Sequence, residues 1–272
     1  MENKVTDVNR ATWDYLSLHP TYYVVAALIF VASCILIFFS HAIQFLIIPL
    51  IAVFVIYAIV SNKMRGDMMK QFAKSLGYEY TEIGDIKDLK ASLFGAGHDR
   101  EMINVISGKD NGRPVRIFSY SYTIGSGKSS HRYYYTVFEN TFSGNMPSIV
   151  LHKAGLFSQE NPPHFSGGEH ISLEGDFNKY FSLSVEKEFE IEAYQIFTPD
   201  FMEELIETSK SLGFEFSQNK LYIYAPEFID ERAKLDSMFA LSNKLCDHLE
   251  PVINKIKSDV DLMKDIMSEH KN

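Results

Sequence analysis

Residues 22–39 read YYVVAALIFVASCILIFF and residues 42–60 read AIQFLIIPLIAVFVIYAIV; neither stretch carries a charged side chain. Each is close to the about 20 residues with which a helix crosses about 30 Å of hydrocarbon. One helix running through both would be about twice the thickness of a bilayer, so the chain must turn between them, at Ser40 and His41. Backbone groups in hydrocarbon must find their partners within the segment, which favours two helices in a tight hairpin. Pro49 is expected to kink the second helix. The turn has no Lys or Arg, whereas Lys4 and Arg10 precede the hairpin and Lys63, Arg65, Lys70 and Lys74 follow it. This asymmetry predicts that both termini face the cytoplasm. Trp13, Tyr15, Tyr22, Tyr23 and Tyr57 stand where interfacial aromatics belong.

Other readings of the first apolar run are weaker. A cleaved signal peptide would not have a long leader with Glu2, Asp7 and Asp14, and no small-residue cleavage site ends the run. Val31-Ala32-Ser33-Cys34 fits a permissive lipobox, but the run stays apolar beyond Cys34. Its small residues suit helix packing within the bilayer. Ahead of the hairpin, Val5, Val8, Tyr15 and Leu16 fall near one helical face. Residues 5–16 therefore read either as a short interfacial helix or as a frayed tail.

Outside the hairpin the chain is polar and acidic. Of 272 residues, 26 are Lys or Arg and 35 Asp or Glu, a net charge of −9, which argues against a nucleic-acid partner. Two cysteines, Cys34 in the apolar run and Cys246 near the C-terminus, supply neither a disulfide framework nor a zinc signature. The region after the hairpin is long enough to bury its own core.

The second span should continue as a juxtamembrane helix to Leu76, ended by Gly77. The organisation expected is a cytoplasmic N-terminal segment (1–21), the transmembrane hairpin (22–61), the juxtamembrane helix (62–76) and a cytoplasmic α+β domain (77–272). Tyr78–Thr81 reads as a strand and Asp85–Leu93 as a short helix. Met102–Ser107, Pro114–Tyr122, Tyr133–Phe142 and Ser148–His152 are rich in β-branched and aromatic residues and form an antiparallel meander. Asn111-Gly112 marks one hairpin and Gly125–Ser129 another. Ile171–Leu173 and Phe181–Val185 add strands. Glu188–Phe197 and Pro199–Leu212 read as helices, the second with Asp200, Glu203 and Glu204 near its positive end. Phe214–Ser217 and Leu221–Tyr224 read as a hairpin over Gln218-Asn219. The region 228–268 is helical and carries two heptad phases, and Pro251 predicts two helices or a kinked one packed on the sheet. A coiled-coil oligomerisation segment is the alternative.

No motif for catalysis, metal or cofactor emerges. Gly125-Ser126-Gly127-Lys128-Ser129 ends like a phosphate-binding loop but lacks the first glycine, and a strand follows it where a helix is needed. Lys128, His131 and Arg132 make this hairpin tip basic, a candidate contact for anionic lipid or a partner. His152, His164 and His170 are too widely spaced for a usual zinc set. Glu186, Glu188, Glu190 and Glu192 do not converge on a helix and read as a solvated face. There is no G-x-S-x-G, H-E-x-x-H, C-x-x-C or G-x-G-x-x-G before a helix. Tyr120, Tyr122 and Tyr133–Tyr135 read as a cross-strand aromatic ladder.

The stretches GDFNKYFSL (175–183), EIEAYQIFTPDFM (190–202) and LYIY (221–224), with RIFSY (116–120) and GSGK (125–128), resemble a family of uncharacterised bacterial membrane proteins. The resemblance spans about residues 95–225 and the anchor. It implies a bacterial inner membrane, multi-pass location, two N-terminal transmembrane helices and a cytoplasmic domain of unknown function. It assigns no functional residue.

The hairpin has a minimal outer loop, and its spans hold no ionisable group apart from His41 at the turn. That leaves little for transport or an ion pathway and points to tethering. The expectation is a membrane-anchored binding or adaptor domain that meets the lipid bilayer and a protein partner or a second copy, with no cofactor, metal or nucleic acid. The alternatives are an enzyme with an unrecognised site near the 158–169 loop and a homo-oligomeric scaffold built through the C-terminal helices.

Overall fold

The structure, a computed structural model, describes residues 4–41, 43–153, 168–209 and 212–269, apart from the side chains of residues 40, 145–147, 188 and 256–269. It divides into two compact units: Met1–Leu76 with Asp230–Leu235, and Gly77–Ile229 with Asp236–Asn272. The architecture is α+β.

In the first unit, α1 (Val8–Leu18) starts at Asp7, whose side chain accepts from the Arg10 N–H at 2.8 Å. It buries Val8, Thr12 and Leu16 on one face, so this stretch is a helix and not a frayed tail. Helix α2 (Thr21–Ser40) is capped by His41 in the left-handed conformation (φ 55°), with the His41 N–H donated to the Ile37 carbonyl at 2.8 Å. A 3-10 turn (Ile43–Leu46) leads into α3 (Ile47–Leu76), which ends at Gly77 with φ +72°. Pro49 falls in the first turn of α3, where its missing N–H removes no interior bond, so it forces no mid-helix kink. The most apolar stretches of α2 and α3 have mean hydropathies of 2.6 and 2.8, long and apolar enough to cross a membrane, and only 6% of each is buried.

Beyond its apolar half, α3 buries Val60, Met64, Met68, Met69, Phe72 and Ala73. The segment 230–235 joins this unit through local chemistry. The Arg65 guanidinium grips the Asp230 carboxylate at 2.6 and 3.1 Å, Val8 N–H donates to the Asp230 carbonyl, and Arg232 N–H donates to the Thr6 carbonyl. Arg232 also stacks over the Phe72 ring at 4.6 Å.

The second unit is built on an antiparallel sheet of seven strands among the described residues: β1 (Glu79–Ile83), β2 (His98–Asp110), β3 (Arg113–Ile124), β4 (His131–Lys153), β5 (Gly168–Ile171), β6 (Phe181–Glu186) and β7 (Gly213–Ala225). The β2–β3 hairpin turns on Asn111 (φ 49°) and Gly112 (φ 84°), both left-handed as a two-residue hairpin requires. The organising strand is β4. Along 131–140 one edge pairs with β3, along 149–153 the same edge pairs with β6, and the opposite edge pairs with β7 from Thr136 to Leu151.

Four sequence expectations change here. Tyr133–Phe142 and Ser148–His152 are one continuous strand, because β7 pairs with both halves of β4 and carries it across register shifts between Thr141 and Ile149. For the same reason Phe214–Ser217 and Leu221–Tyr224 are not a hairpin. Gln218, at φ 58°, stays paired opposite Met146, and the chain continues as β7. Residues 85–91 form no helix: Asp85 accepts the Lys87 N–H in a local turn at 3.0 Å, and only Ser92–Gly95 winds into a 3-10 turn.

The fourth concerns the C-terminal region. Helix α4 (Phe177–Tyr180), α5 (Glu190–Ile196) and α6 (Pro199–Thr208) come before β7, with Phe177, Phe181, Phe197 and Phe201 in successive ring contacts of 4.9–6.1 Å. The last helix, α7 (Arg232–Glu269), runs unbroken through Pro251. Both Pro251 and Asp247, the residue four earlier whose carbonyl loses its donor, are exposed, so the lost bond falls at exposed positions of the helix and not in the core. The heptad residues Leu245 and Leu249 are buried, with Cys246 and Ile253. Ser242, which interrupts the heptad, accepts a bond from Asn140 Nδ2 on β4 at 2.9 Å. This helix therefore lies on one face of the sheet through its apolar stripe and polar contacts. Arg113, 5% exposed, ties the β2–β3 hairpin to it through Asp247 and Glu250 at 3.3 and 3.1 Å.

Candidate functional site

On the other face of the sheet, alternation along three strands brings Tyr120 and Tyr122 of β3, Tyr135 of β4, and Tyr222 and Tyr224 of β7 into one buried cluster. The segment 85–97 crosses this face as a strap and inserts Leu89, Ala91, Leu93 and Phe94. Phe94 meets the Tyr120 and Tyr222 rings edge-on, with centroids 4.9 and 5.1 Å apart.

Polar ties hold the strap down. Glu215 of β7 accepts from the backbone N–H and hydroxyl of Ser92, the latter at 2.8 Å. Ser217 Oγ donates to the Lys90 carbonyl at 3.3 Å. Arg116 pairs with Asp88 of the strap at 2.9 Å and with buried Glu139 at 2.5 Å, while Lys220 reaches Glu139 at 3.0 Å. Arg100 closes the far end on the Gly95 and Gly97 carbonyls at 2.7 and 2.8 Å.

The electrostatics of this cluster limit its chemistry. Burial pushes the Tyr120 phenol up to about 12 and raises Tyr122, Tyr222 and Tyr224 further, so none ionises near neutral pH. Burial also pushes Glu215 up to about 7 against the lowering effect of its bonds to Ser92 and Leu93. The Cys246 thiol is driven by burial to about 12 and is inert as a nucleophile. No nucleophile–base pair forms among these groups.

The residues singled out from sequence are placed as follows. Gly125 (φ 82°) to Ser130 is a hairpin connection joining β3 to β4, with Ile124 paired to His131, and no helix follows. Lys128 and His131 are exposed at the tip. Arg132 is turned toward the sheet, where its guanidinium pairs with Glu101 and donates to Ser121 Oγ at 2.8 Å. The basic trio is thus split into an exposed lysine and histidine at the tip and one engaged arginine. His41 is exposed at the end of α2, and Ser40 is the last residue of that helix. His164 and most of the 158–169 loop lie outside the described residues; Gly168 and Glu169 begin β5. Burial lowers the pKa of His152, and His170 Nδ1 lies 3.3 Å from Ser182 Oγ. Among the described residues no three His, Cys, Asp or Glu side chains gather as a metal site.

The first unit holds a groove of about 680 Å³ between α1 and the residues of α3 just past its apolar half. Its lining includes Lys4, Asp14, Tyr15, Met64, Asp67 and Lys70. Beside it, Lys63 donates to the Tyr15 hydroxyl at 2.8 Å and sits over the ring at 4.2 Å, and His19 stacks on the same ring at 3.9 Å.

Residues 133–271, just over half of the chain, match a protein family described as "Protein of unknown function (DUF3137)". The chain belongs to this family. The match in this DUF3137 protein runs from β4 through α7, the half that contains the central strand and the helix laid on the sheet. A comparison with curated proteins found no match. Among solved structures, the crystal structure of the mycobacterial trehalose monomycolate transport factor A, TtfA, is similar at a TM-score of 0.54 and 18% identity, covering 70% of this chain and 96% of that one. That likeness is one of fold.

Neither the strap nor the groove of this DUF3137 protein stood out in the sequence. For the strap, the available signal was charge at inward strand positions: Arg116 and Glu139, cross-strand partners, interrupt the apolar alternation. For the groove, the signal was amphipathic α1 itself, whose buried face needs a second helix.

Proposed function

We propose that this protein is a membrane-anchored binding module: α2 and the apolar half of α3 cross a bacterial inner membrane as a hairpin, both termini lie in the cytoplasm, and the sheet unit binds a partner there. The observation that carries the reading is the exposure of the two apolar helices. Leu28, Phe30, Phe38, Phe39, Leu50 and Phe54 are each more than half exposed, a surface that water does not tolerate and hydrocarbon does. A core helix of a soluble protein would be mostly buried, whereas these are 6% buried. The second helix continues past the apolar stretch into a basic segment, as the positive-inside rule expects of a cytoplasmic exit.

The reading accords with the fold shared with a protein described as a transport factor. Exposed Lys128 and His131 at the hairpin tip are the candidate contacts with anionic lipid or a protein partner.

The test is cysteine accessibility in intact cells on a background lacking Cys34 and Cys246. A cysteine at position 41 should react with a membrane-impermeant maleimide, and one at position 200 should react only after lysis. Labelling at 200 from outside, or at neither position after lysis, would overturn the topology. Crosslinking in native membranes then tests the binding role, for which a near-stoichiometric partner is expected. Recovery of the chain alone, insensitive to Lys128→Glu with His131→Glu, would count against it.

A further inference from the structure

One histidine of the sheet unit has both ring nitrogens turned on acceptors. His98 opens β2, and its Nε2 lies 2.8 Å from the Gly125 carbonyl oxygen, at the start of the connection between β3 and β4. Its Nδ1 lies 2.8 Å from Asp99 Oδ2. A carbonyl and a carboxylate only accept, so both nitrogens must donate, and a histidine donates from both only as the imidazolium. The arrangement is that of a charged ring joining a strand to a hairpin tip.

The backbone on each side is shaped for this contact. His98 pairs with Thr123 and Glu101 with Ser121, so β2 carries one residue more than β3 between them. Asp99 lies in that bulge in the left-handed conformation, φ 49°, which a short polar side chain tolerates, and its carboxylate meets the ring of the residue before it. Gly125 is also left-handed, φ 82°, and a Cβ there would run into the Ser129 carbonyl, so the connection is tight where its first carbonyl faces β2. The connection's own bonds are local: Ser129 N–H donates to the Ser126 carbonyl at 3.2 Å, and the Ser130 N–H and hydroxyl donate to the Gly127 carbonyl at 3.4 and 3.0 Å. His98 is therefore the group that fastens the tip to a neighbouring strand.

The charged groups around the ring are otherwise occupied or exposed. Arg100 is engaged on the Gly95 and Gly97 carbonyls, and Arg132 of β4 is paired with Glu101 of β2. Lys128 on the connection and His131 at the first position of β4 are exposed. The Gly125 carbonyl first, and then the Asp99 carboxylate, raise the pKa of His98 above the ordinary imidazole value.

We propose that His98 is a proton-operated latch on the tip between β3 and β4. Charged, the ring holds the Gly125 carbonyl and keeps the tip fixed to β2. When it loses a proton, the carboxylate, as the stronger acceptor, keeps the Nδ1–H, and the Nε2 lone pair is left facing the lone pairs of the Gly125 carbonyl. An attraction becomes a repulsion and the tip is released. The latch is closed below the pKa of His98 and opens as the pH rises through it. It sets whether Lys128 and His131 are offered on a fixed tip or a loose one, a regulatory role that rests on the contact reading above.

The experiment uses the full chain in detergent micelles, with isotope-labelled histidine rings and a nitroxide on Ser129→Cys in a background lacking Cys34 and Cys246. The ring signal of His98, identified by its loss in His98→Gln, should titrate above the ordinary imidazole value, and Asp99→Asn should move its midpoint down. The nitroxide should be held below that midpoint and mobile above it. His98→Gln, which has no titrating ring, should abolish this pH dependence; His98 is exposed, and far-UV circular dichroism checks that the variant is folded. A His98 midpoint at or below the ordinary value, a nitroxide that ignores the His98 titration, or a pH response that survives His98→Gln and so belongs to His131 would each overturn the proposal. Crosslinking insensitive to Lys128→Glu with His131→Glu would count against the contact reading alone, so the two failures are distinguishable.

Discussion

Replacing Glu215 with glutamine should make this protein progressively more stable than the wild type as the pH rises from 5 to 8. Glu215 is 3% exposed and anchors the 85–97 strap through Ser92. Burial raises its carboxyl from the ordinary 4.5 to about 7 in the folded chain. Between these values the folded state holds a proton that the unfolded state has released, so stability falls as the pH rises and the loss is complete above about pH 7. At 1.36 kcal/mol per tenfold change, the loss between pH 5 and pH 8 comes to about 2–3 kcal/mol. Glutamine carries no charge to desolvate. Its amide oxygen can still accept the Ser92 N–H, and the Ser92 hydroxyl can accept from its amide nitrogen. Any fixed loss of hydrogen bonding is the same at both pH values, so the gap between variant and wild type isolates the carboxylate. Thermal melts of the full chain in detergent, read by near-UV circular dichroism of the tyrosine cluster, should show the gap widening by roughly 5–10 °C. A gap that is constant with pH would refute the reasoning, because it would mean that Glu215 is not desolvated beneath a seated strap.

Two further outcomes follow from the same architecture. Arg116→Ala removes the bidentate partner of buried Glu139 and the tie to Asp88, leaving Lys220 alone; it should cost about 3 kcal/mol in chemical denaturation and speed amide exchange at Leu89–Phe94. Pro251→Ala restores a backbone donor at an exposed position inside α7 and should stabilise the chain by up to about 3 kcal/mol, with a higher melting temperature and no change in oligomeric state.

The strands missed or split in the sequence reading share one cause. Gln218-Asn219 between two β-rich runs is a good local hairpin signal, and Ser143–Pro147 is a good local break. Each is overridden because β4 and β7 are long and cross their irregularities together, each supplying the other's backbone partners on both sides. The strap failed in the opposite direction. Asp85–Leu93 has helix-compatible spacing, but its polar groups are satisfied by Glu215, Ser217 and Arg116, residues more than twenty positions away that no local window contains. The candidate sites divide in the same way. Gly125–Ser129 was legible as a hairpin turn from its composition and the strand after it, whereas the engagement of Arg132 with Glu101 depends on which neighbours β2 and β3 place beside it.

What the chain's order of residues determines alone is whatever depends on composition over one turn or one span: two uncharged apolar runs, the Asn-Gly hairpin, the glycine that ends α3, the acidic start of α6 and the mainly antiparallel character of the sheet. These follow from local backbone preference and from the solvent each segment needs, and both are written in consecutive side chains. Tertiary structure decided which strand lies beside which, that a strap covers the tyrosine face, that Asp230–Leu235 returns to the N-terminal unit, and that charges of both signs meet in the groove beside α1. These depend on pairing between segments far apart in the chain. The free energy of such contacts exists only once both partners are in place, so no single stretch of sequence records it.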